Sequence, residues 1–180
     1  MGDPPRMATH PVERERERER EGEPEPQTGW SAASDVVTLR TETTRQFIDL
    51  TELVAERVRR SGISHGLVSV VTRHTTTAIV VNEDEPLLLE DMGHLLDRLV
   101  PPDIRYGHDD MARRTGVGPD ERANGAAHCR SLLLGASQVF HVDAGAIQLG
   151  CWQRIFLVEL DGPRTRAVSI LVLGVRGAHA

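Results

Sequence analysis

The sequence predicts an α+β fold: one domain in which a mixed or antiparallel sheet is covered by two or three helices. Three observations predict it. The chain has 180 residues, which suits one core. Short β-branched runs such as residues 66–73 and 76–82 interleave with stretches of helical spacing. The last third reads as strands joined by tight turns, Asp143-Ala-Gly145 and Asp161-Gly-Pro163.

Each element follows from local pattern. Residues 36–44 alternate Val37 and Leu39 with Thr38 and Arg40, as a half-exposed strand does. Residues 47–60 turn helical: Asp49 and Glu52 suggest a capping box, Leu50, Leu53, Val54 and Val58 share a face, and Gly62 stands where the helix should stop. Residues 66–73 and 76–82 are strands. Pro86 opens a helix in which Leu88, Met92, Leu95, Leu96 and Leu99 keep helical spacing until Pro101-Pro102 ends it. Residues 101–121 form a long polar loop of the kind that often carries function. A short helix over 123–134, capped by Gly135, leads into strands at 138–142, 147–160 and 166–173.

The first 35 residues differ. They include Glu-Arg alternation at 13–21 and a Pro-Glu stretch, with little to bury, so residues 1–35 are expected to be a disordered charged tail and 36–180 the folded domain. No run is long and apolar enough for a membrane span, and no apolar signal segment lies near Met1. Two cysteines, Cys129 and Cys151, give no disulfide framework, so a reducing cytoplasm is the expected location. A formal charge of −6 argues against nucleic acid as a partner. All 21 basic side chains are arginine, which excludes lysine Schiff-base chemistry and leaves phosphate or carboxylate recognition open.

Candidate chemistry concentrates in residues 72–91, and in two later motifs that carry His108 and His128. His74 sits between two strands beside three threonines, and would serve either a ligand or β structure. His108 lies in the polar loop, where Asp109 or Asp110 could accept its second N–H. His128 interrupts an otherwise apolar helix. None has the His-x-x-x-His spacing of a metal helix. Asp84 and Glu85 suit a helix start, whereas Asn82 and Glu83 end a strand and Asp91 intrudes among leucines, where each could reach a cleft. Arg113, Arg114, Arg164 and Arg166 could clamp an anion.

In order, HTTT (74–77), NEDEP (82–86), EDM (90–92), YGHDD (106–110), NGAAHC (124–129), LLLG (132–135) and GAIQLGCWQRIFLVELDGPRTR (145–166) resemble the YjbQ family, also described as secondary thiamine-phosphate synthases. The resemblance covers about residues 36–174, and its ordered combination is more specific than any one fragment. Cys151 departs from it, standing where the family commonly has a small hydroxyl residue, and the segment between His108 and His128 is longer than in the shortest members. The resemblance implies a homotrimer with polar clefts near subunit interfaces. It implies metal ligands at His74, His108 and His128, catalytic or supporting groups at Glu83, Asp91 and Asn82, and substrate contacts at Arg164, Gln153 and Asn124.

The implied reaction joins hydroxymethylpyrimidine diphosphate to thiazole phosphate. Imidazole ligands favour zinc or another transition metal over magnesium, so the implied cofactor is such a divalent ion. Two other classes fit the same residues: a zinc-type hydrolase of a small phosphorylated or carboxylated metabolite, and a trimeric protein that binds such a metabolite without turning it over.

Overall fold

The computed structural model describes residues 29–119 and 121–177. In chain order it comprises β1 (Ser31–Arg40), β2 (Gln46–Asp49), α1 (Thr51–Ser61), β3 (Ile63–Thr72), β4 (Thr77–Asn82), α2 (Pro86–Leu99), a 3₁₀ turn (Gly107–Asp109), α3 (Gly125–Leu134), β5 (Ser137–Asp143), β6 (Ala146–Ile147), β7 (Arg154–Glu159) and β8 (Thr165–Arg176).

The strands form two sheets rather than one. The larger runs β1-β8-β3-β5-β6 and the smaller β2-β7-β4, and every pairing is antiparallel. The smaller sheet is a middle layer, because β7 alternates its apolar side chains between two cores. Ile155 and Leu157 join Leu50, Val54 and Val58 of α1 and Val68, Val70, Val168, Ile170 and Val172 of the larger sheet. Phe156 and Val158 face the other way, onto Leu96 of α2 and Ala127 of α3. Each such buried side chain contributes about 1.5–3 kcal/mol. A strand buried on both faces reads as a continuous apolar run, which is why IFLV shows no alternation.

Several boundaries differ from expectation for local reasons. β1 begins at Ser31, so Ser31–Asp35, expected in the tail, pair with β8 through the register Ser31↔Gly174 to Asp35↔Ile170. The rest of the expected tail, residues 1–28, lies outside the described residues. Residues 46–49, expected at or just before a helix start, instead pair with β7, and α1 begins at Thr51. The expected Asp49–Glu52 capping box does not form: Leu50 is the N-cap, with no side-chain cap bond, and Asp49 Oδ1 instead accepts from the Thr51 N–H at 2.7 Å, while Gly62 ends the helix at φ 68°. Glu85 caps α2, its two carboxylate oxygens accepting from Leu87 and Leu88 N–H groups. The single strand expected over 147–160 is interrupted: β6 ends at Ile147 and β7 starts at Arg154. The two-residue turn before β6 places Ala144 at φ 48° and Gly145 at φ 75°, the positive pair that a tight hairpin needs.

No helix or strand among the described residues covers the outer face of the larger sheet. Val36, Leu67, Val139, Leu171 and Leu173 are all exposed there. No helix among the described residues is long and apolar enough to cross a membrane.

Candidate active site

The site begins where β3 ends. Past Thr72 the β3–β8 ladder has no further strand residue, yet Ala167 of β8 still bonds the turn: its carbonyl accepts from the Arg73 N–H at 3.1 Å. Its N–H donates to Nε2 of His74 at 2.7 Å. An N–H can only donate, so Nε2 carries no proton and the neutral ring holds its proton on Nδ1. Burial, then the nearby Arg166 charge, hold His74 below the ordinary histidine value.

Beneath the turn the two sheets are joined by charge. Glu159 ends β7 with its carboxylate fully buried, and Arg166 of β8 reaches it with two N–H donors at 2.6 and 2.5 Å. Thr41 Oγ1 donates to the same carboxylate at 2.9 Å, and the Leu160 and Asp161 N–H groups at 2.9 and 2.8 Å. Burial pushes the carboxyl up, but Arg166, the Asp161 amide and Thr41 outweigh it and hold it below its ordinary range. Arg166 spends its remaining reach on Thr76 Oγ1 at 3.1 Å.

Asp161 is the second hub. It accepts from Asn124 Nδ2 at 2.9 Å and from Arg164 at 3.0 Å, with Arg122 Nε at 3.4 Å. These contacts bring the Asp161-Gly-Pro163 turn, the loop before α3 and α3 itself to one place.

The long loop is fastened to α3 by two contacts. Asp109 Oδ1 accepts from the N–H groups of Asn124 and Gly125, at 2.9 and 2.8 Å, and so caps α3 from outside the helix. Tyr106 packs where a Cβ on Gly125 would stand, only 2.5 Å from its own Cβ, so glycine is required for this approach. Docked in this way, the loop sets His108 against His128, with ring centroids 4.6 Å apart at 63°. Burial first, and His108 second, hold His128 below the ordinary histidine value, so it is neutral near pH 7. Among the described residues neither His108 Nε2 nor Asn124 Oδ1, both buried, has a hydrogen-bond partner.

These parts enclose a cleft of about 550 Å³ whose walls include Arg73, Arg122, Arg164 and Arg166, together with His74 and His128. Among the described residues, Glu121 and Asp161 are the carboxylates in its wall, against four arginines of which Arg166 is already paired with Glu159; the excess of guanidinium groups suits an anion such as a phosphate. A second cavity, about 610 Å³, adjoins it through Arg73, His74, Thr75 and His128 and continues past Leu132 and Ala136.

The residues expected at the site divide into two groups. His74, His128, Asn124 and Arg164 line the cleft, and His108 stands behind His128. Asn82, Glu83, Asp91 and Gln153 do not line it. Asn82 ends β4 opposite Arg154, whereas Thr77 at the other end pairs with Glu159. Five strand steps separate the ends, roughly 17 Å. There Asn82 bonds its amide to Met92 Sδ and its carbonyl to the Glu83 N–H. Asp91 is exposed on α2, and Gln153 closes its own turn by accepting from the Gly150 N–H at 2.8 Å. Asp109 and Asp110 do not serve His108: Asp109 caps α3 and Asp110 pairs with Arg105 at 3.1 Å. Of the other clamp candidates, Arg166 lines the cleft, Arg114 pairs with Glu121 at its rim and Arg113 faces Asp110.

The three histidines as arranged do not make a three-ligand metal set. Nε2 of His74 is already bonded to Ala167, and a metal on Nδ1 would require a proton on Nε2, facing another donor. Among the described residues no group of three or more His, Cys, Asp or Glu side chains could hold a metal ion.

Arg73, Arg122, Glu159 and Asp161 were not singled out as site residues from sequence. One signal existed for Glu159: a carboxylate inside the apolar run IFLVEL must be buried or paired. Asp161 reads only as a turn residue until its neighbours are in place.

A sequence model described as UPF0047 protein YjbQ-like matches residues 35–175. The chain is 40% identical over 136 residues to a UPF0047 protein of Methanothermobacter thermautotrophicus, covering 76% of this chain and 88% of that protein. It is 35% identical over 140 residues to the UPF0047 protein YugU of Bacillus subtilis, covering 76% and 98%. Among solved structures, a YbjQ-like protein of unknown function from Sulfolobus solfataricus superposes with a TM-score of 0.74 at 34% identity, covering 81% of this chain and 99% of that one. A hypothetical protein from Aeropyrum pernix gives 0.70 at 37% identity, covering 79% and 98%.

Proposed function

The chain belongs to the UPF0047 YjbQ-like family, and from that premise we propose that it is an enzyme whose arginine-lined cleft holds the phosphate or diphosphate of a small metabolite for group transfer. The observation that carries this reading is the convergence of Arg73, Arg122, Arg164 and Arg166 with two neutral imidazoles on one cleft. Fixed guanidinium groups stabilise charge that develops on a departing diphosphate.

The reaction we assign to it is of thiamine-phosphate synthase type. The thiazole nitrogen bonds to the pyrimidine methylene, the methylene–oxygen bond breaks, and pyrophosphate leaves into the arginine cluster. The same roles serve another phosphorylated substrate to which this activity is secondary: Arg164 and Arg122 are oriented by Asp161, and Arg166 by Glu159.

A second reading is favoured by one observation, the His108 Nε2 beside His128, buried and without a hydrogen-bond partner among the described residues. A transition-metal ion between those two imidazoles would satisfy it, supplying the Lewis acidity of a metal-dependent hydrolase. Two protein ligands fall short of the three usual at catalytic zinc. The apolar sheet face with Leu67, Leu171 and Leu173, which no described residue covers, supports assembly with further copies of the chain, of which a homotrimer is the form we propose.

Calorimetric titration with inorganic pyrophosphate, followed by a synthase assay with the pyrimidine diphosphate and thiazole phosphate, tests the proposal. Pyrophosphate binding that is lost in Arg164→Ala, with turnover by the wild type, supports it. Binding without turnover on any phosphorylated substrate would reduce the protein to a metabolite carrier, and no binding at all would sink the reading.

A further inference from the structure

We infer that His74 is a fixed Nδ1–H donor to the anion bound in the cleft, rather than a metal ligand. The inference rests on the reading of the cleft as an anion site, and it gives one of its walls a specific role.

The geometry leaves His74 one protonation pattern. Both backbone groups of Ala167 serve the 73–74 segment, the carbonyl taking the Arg73 N–H and the N–H giving to His74 Nε2. The imidazole therefore stands where the next strand carbonyl would have continued the β3–β8 ladder beyond Thr72↔Val168. Protonating Nε2 would set two donors against each other, so the neutral ring keeps its proton on Nδ1. No described residue accepts a hydrogen bond from that Nδ1. His74 lies in the wall shared by the arginine cleft and the adjoining cavity, among Arg73, Thr75 and His128. A neutral donor beside guanidinium groups adds a directed hydrogen bond to an anionic oxygen without adding like charge, and its orientation is set before the anion arrives. The same bond to Ala167 that fixes the donor also removes the lone pair a metal would need.

Two side chains separate this role from that of a mere ladder cap. Asparagine places an N–H₂ near the position of Nδ1, and glutamine places an acceptor near that of Nε2. Long-range ¹H–¹⁵N spectra of the wild type should show the proton of His74 on Nδ1. Its two nitrogen resonances should not move as ligands when zinc is added. In pyrophosphate titrations, His74→Asn should bind within a few-fold of wild type, while His74→Gln, which keeps the Ala167 contact and its fold, should bind roughly tenfold or more weakly. The inference is overturned if the proton resides on Nε2, if zinc shifts His74 as a ligand, or if His74→Gln binds like wild type while His74→Asn does not. If wild type binds no pyrophosphate, the anion-cleft reading fails and takes the donor role with it. If wild type binds and both variants match it, only the role of His74 fails.

Discussion

Glu159 of β7 and Arg166 of β8 lock the two sheets together through a doubly hydrogen-bonded ion pair, 2.6 and 2.5 Å, with both side chains almost wholly buried. Because Arg166 also forms a wall of the cleft, the floor of the site is tied to both sheets at once. A buried pair of this kind is weak evidence of net stabilisation, but breaking one half leaves an unpaired buried charge.

Glu159→Gln should therefore destabilise the fold by about 3–5 kcal/mol. Urea unfolding measures the loss. The double change Glu159→Leu with Arg166→Met should recover much of that stability while weakening pyrophosphate binding, which separates structural from binding roles.

The pH dependence has a definite sign. The Glu159 carboxyl lies below its ordinary value of 4.5 in the folded protein, so the unfolded chain binds its proton first. The stability it contributes is present above pH 4.5 and is lost as pH falls through the lowered folded value. Unfolding free energy measured across acidic pH should fall steeply below pH 4.5 in the wild type and less steeply in Glu159→Gln. Equal slopes would mean that other carboxylates dominate acid unfolding.

Asp109→Ala should uncap α3 and free the loop. A lost cap costs about 0.5–2 kcal/mol. The His108 and His128 ring resonances should lose their mutual contact in nuclear Overhauser spectra, because Asp109 holds the loop against Asn124 and Gly125. An unchanged contact would assign the docking to Tyr106 alone.

Gly125→Ala should displace Tyr106, since the new Cβ would stand 2.5 Å from the tyrosine Cβ. Overpacking of this kind costs about 1–3 kcal/mol. Thermal unfolding with and without pyrophosphate would show the fold weakened and the ligand-induced shift reduced.

Glu83→Gln and Asp91→Asn should leave pyrophosphate affinity within experimental error, because neither residue lines the cleft. A loss in either variant would show that the far end of β4 meets a cleft through a second subunit, and size-exclusion light scattering of the same samples would identify that assembly.

What the sequence determined by itself is local. Apolar spacing and caps set α2 from Pro86 and the end of α1 at Gly62, turn chemistry set the hairpin at Ala144-Gly145, and the ordered motifs identified the family. Periodicity also placed strands near 66–72 and 77–82, because a strand with one exposed face writes its pattern in every second residue. It failed for residues 46–49 and for the break at 148–153, where pairing with β7 and a change of sheet decide the conformation.

Only the tertiary structure decided which charges share the site. NEDEP and HTTT adjoin in sequence, but a strand carries its two ends about 17 Å apart, so Glu83 leaves the cleft while Asp161, distant in sequence, joins Arg73 and His74 in it. The state of His74 was settled by a single backbone N–H on β8, 93 residues away. A hydrogen bond formed across that separation leaves no trace in the residue's neighbours, because it depends on strand register rather than on local composition.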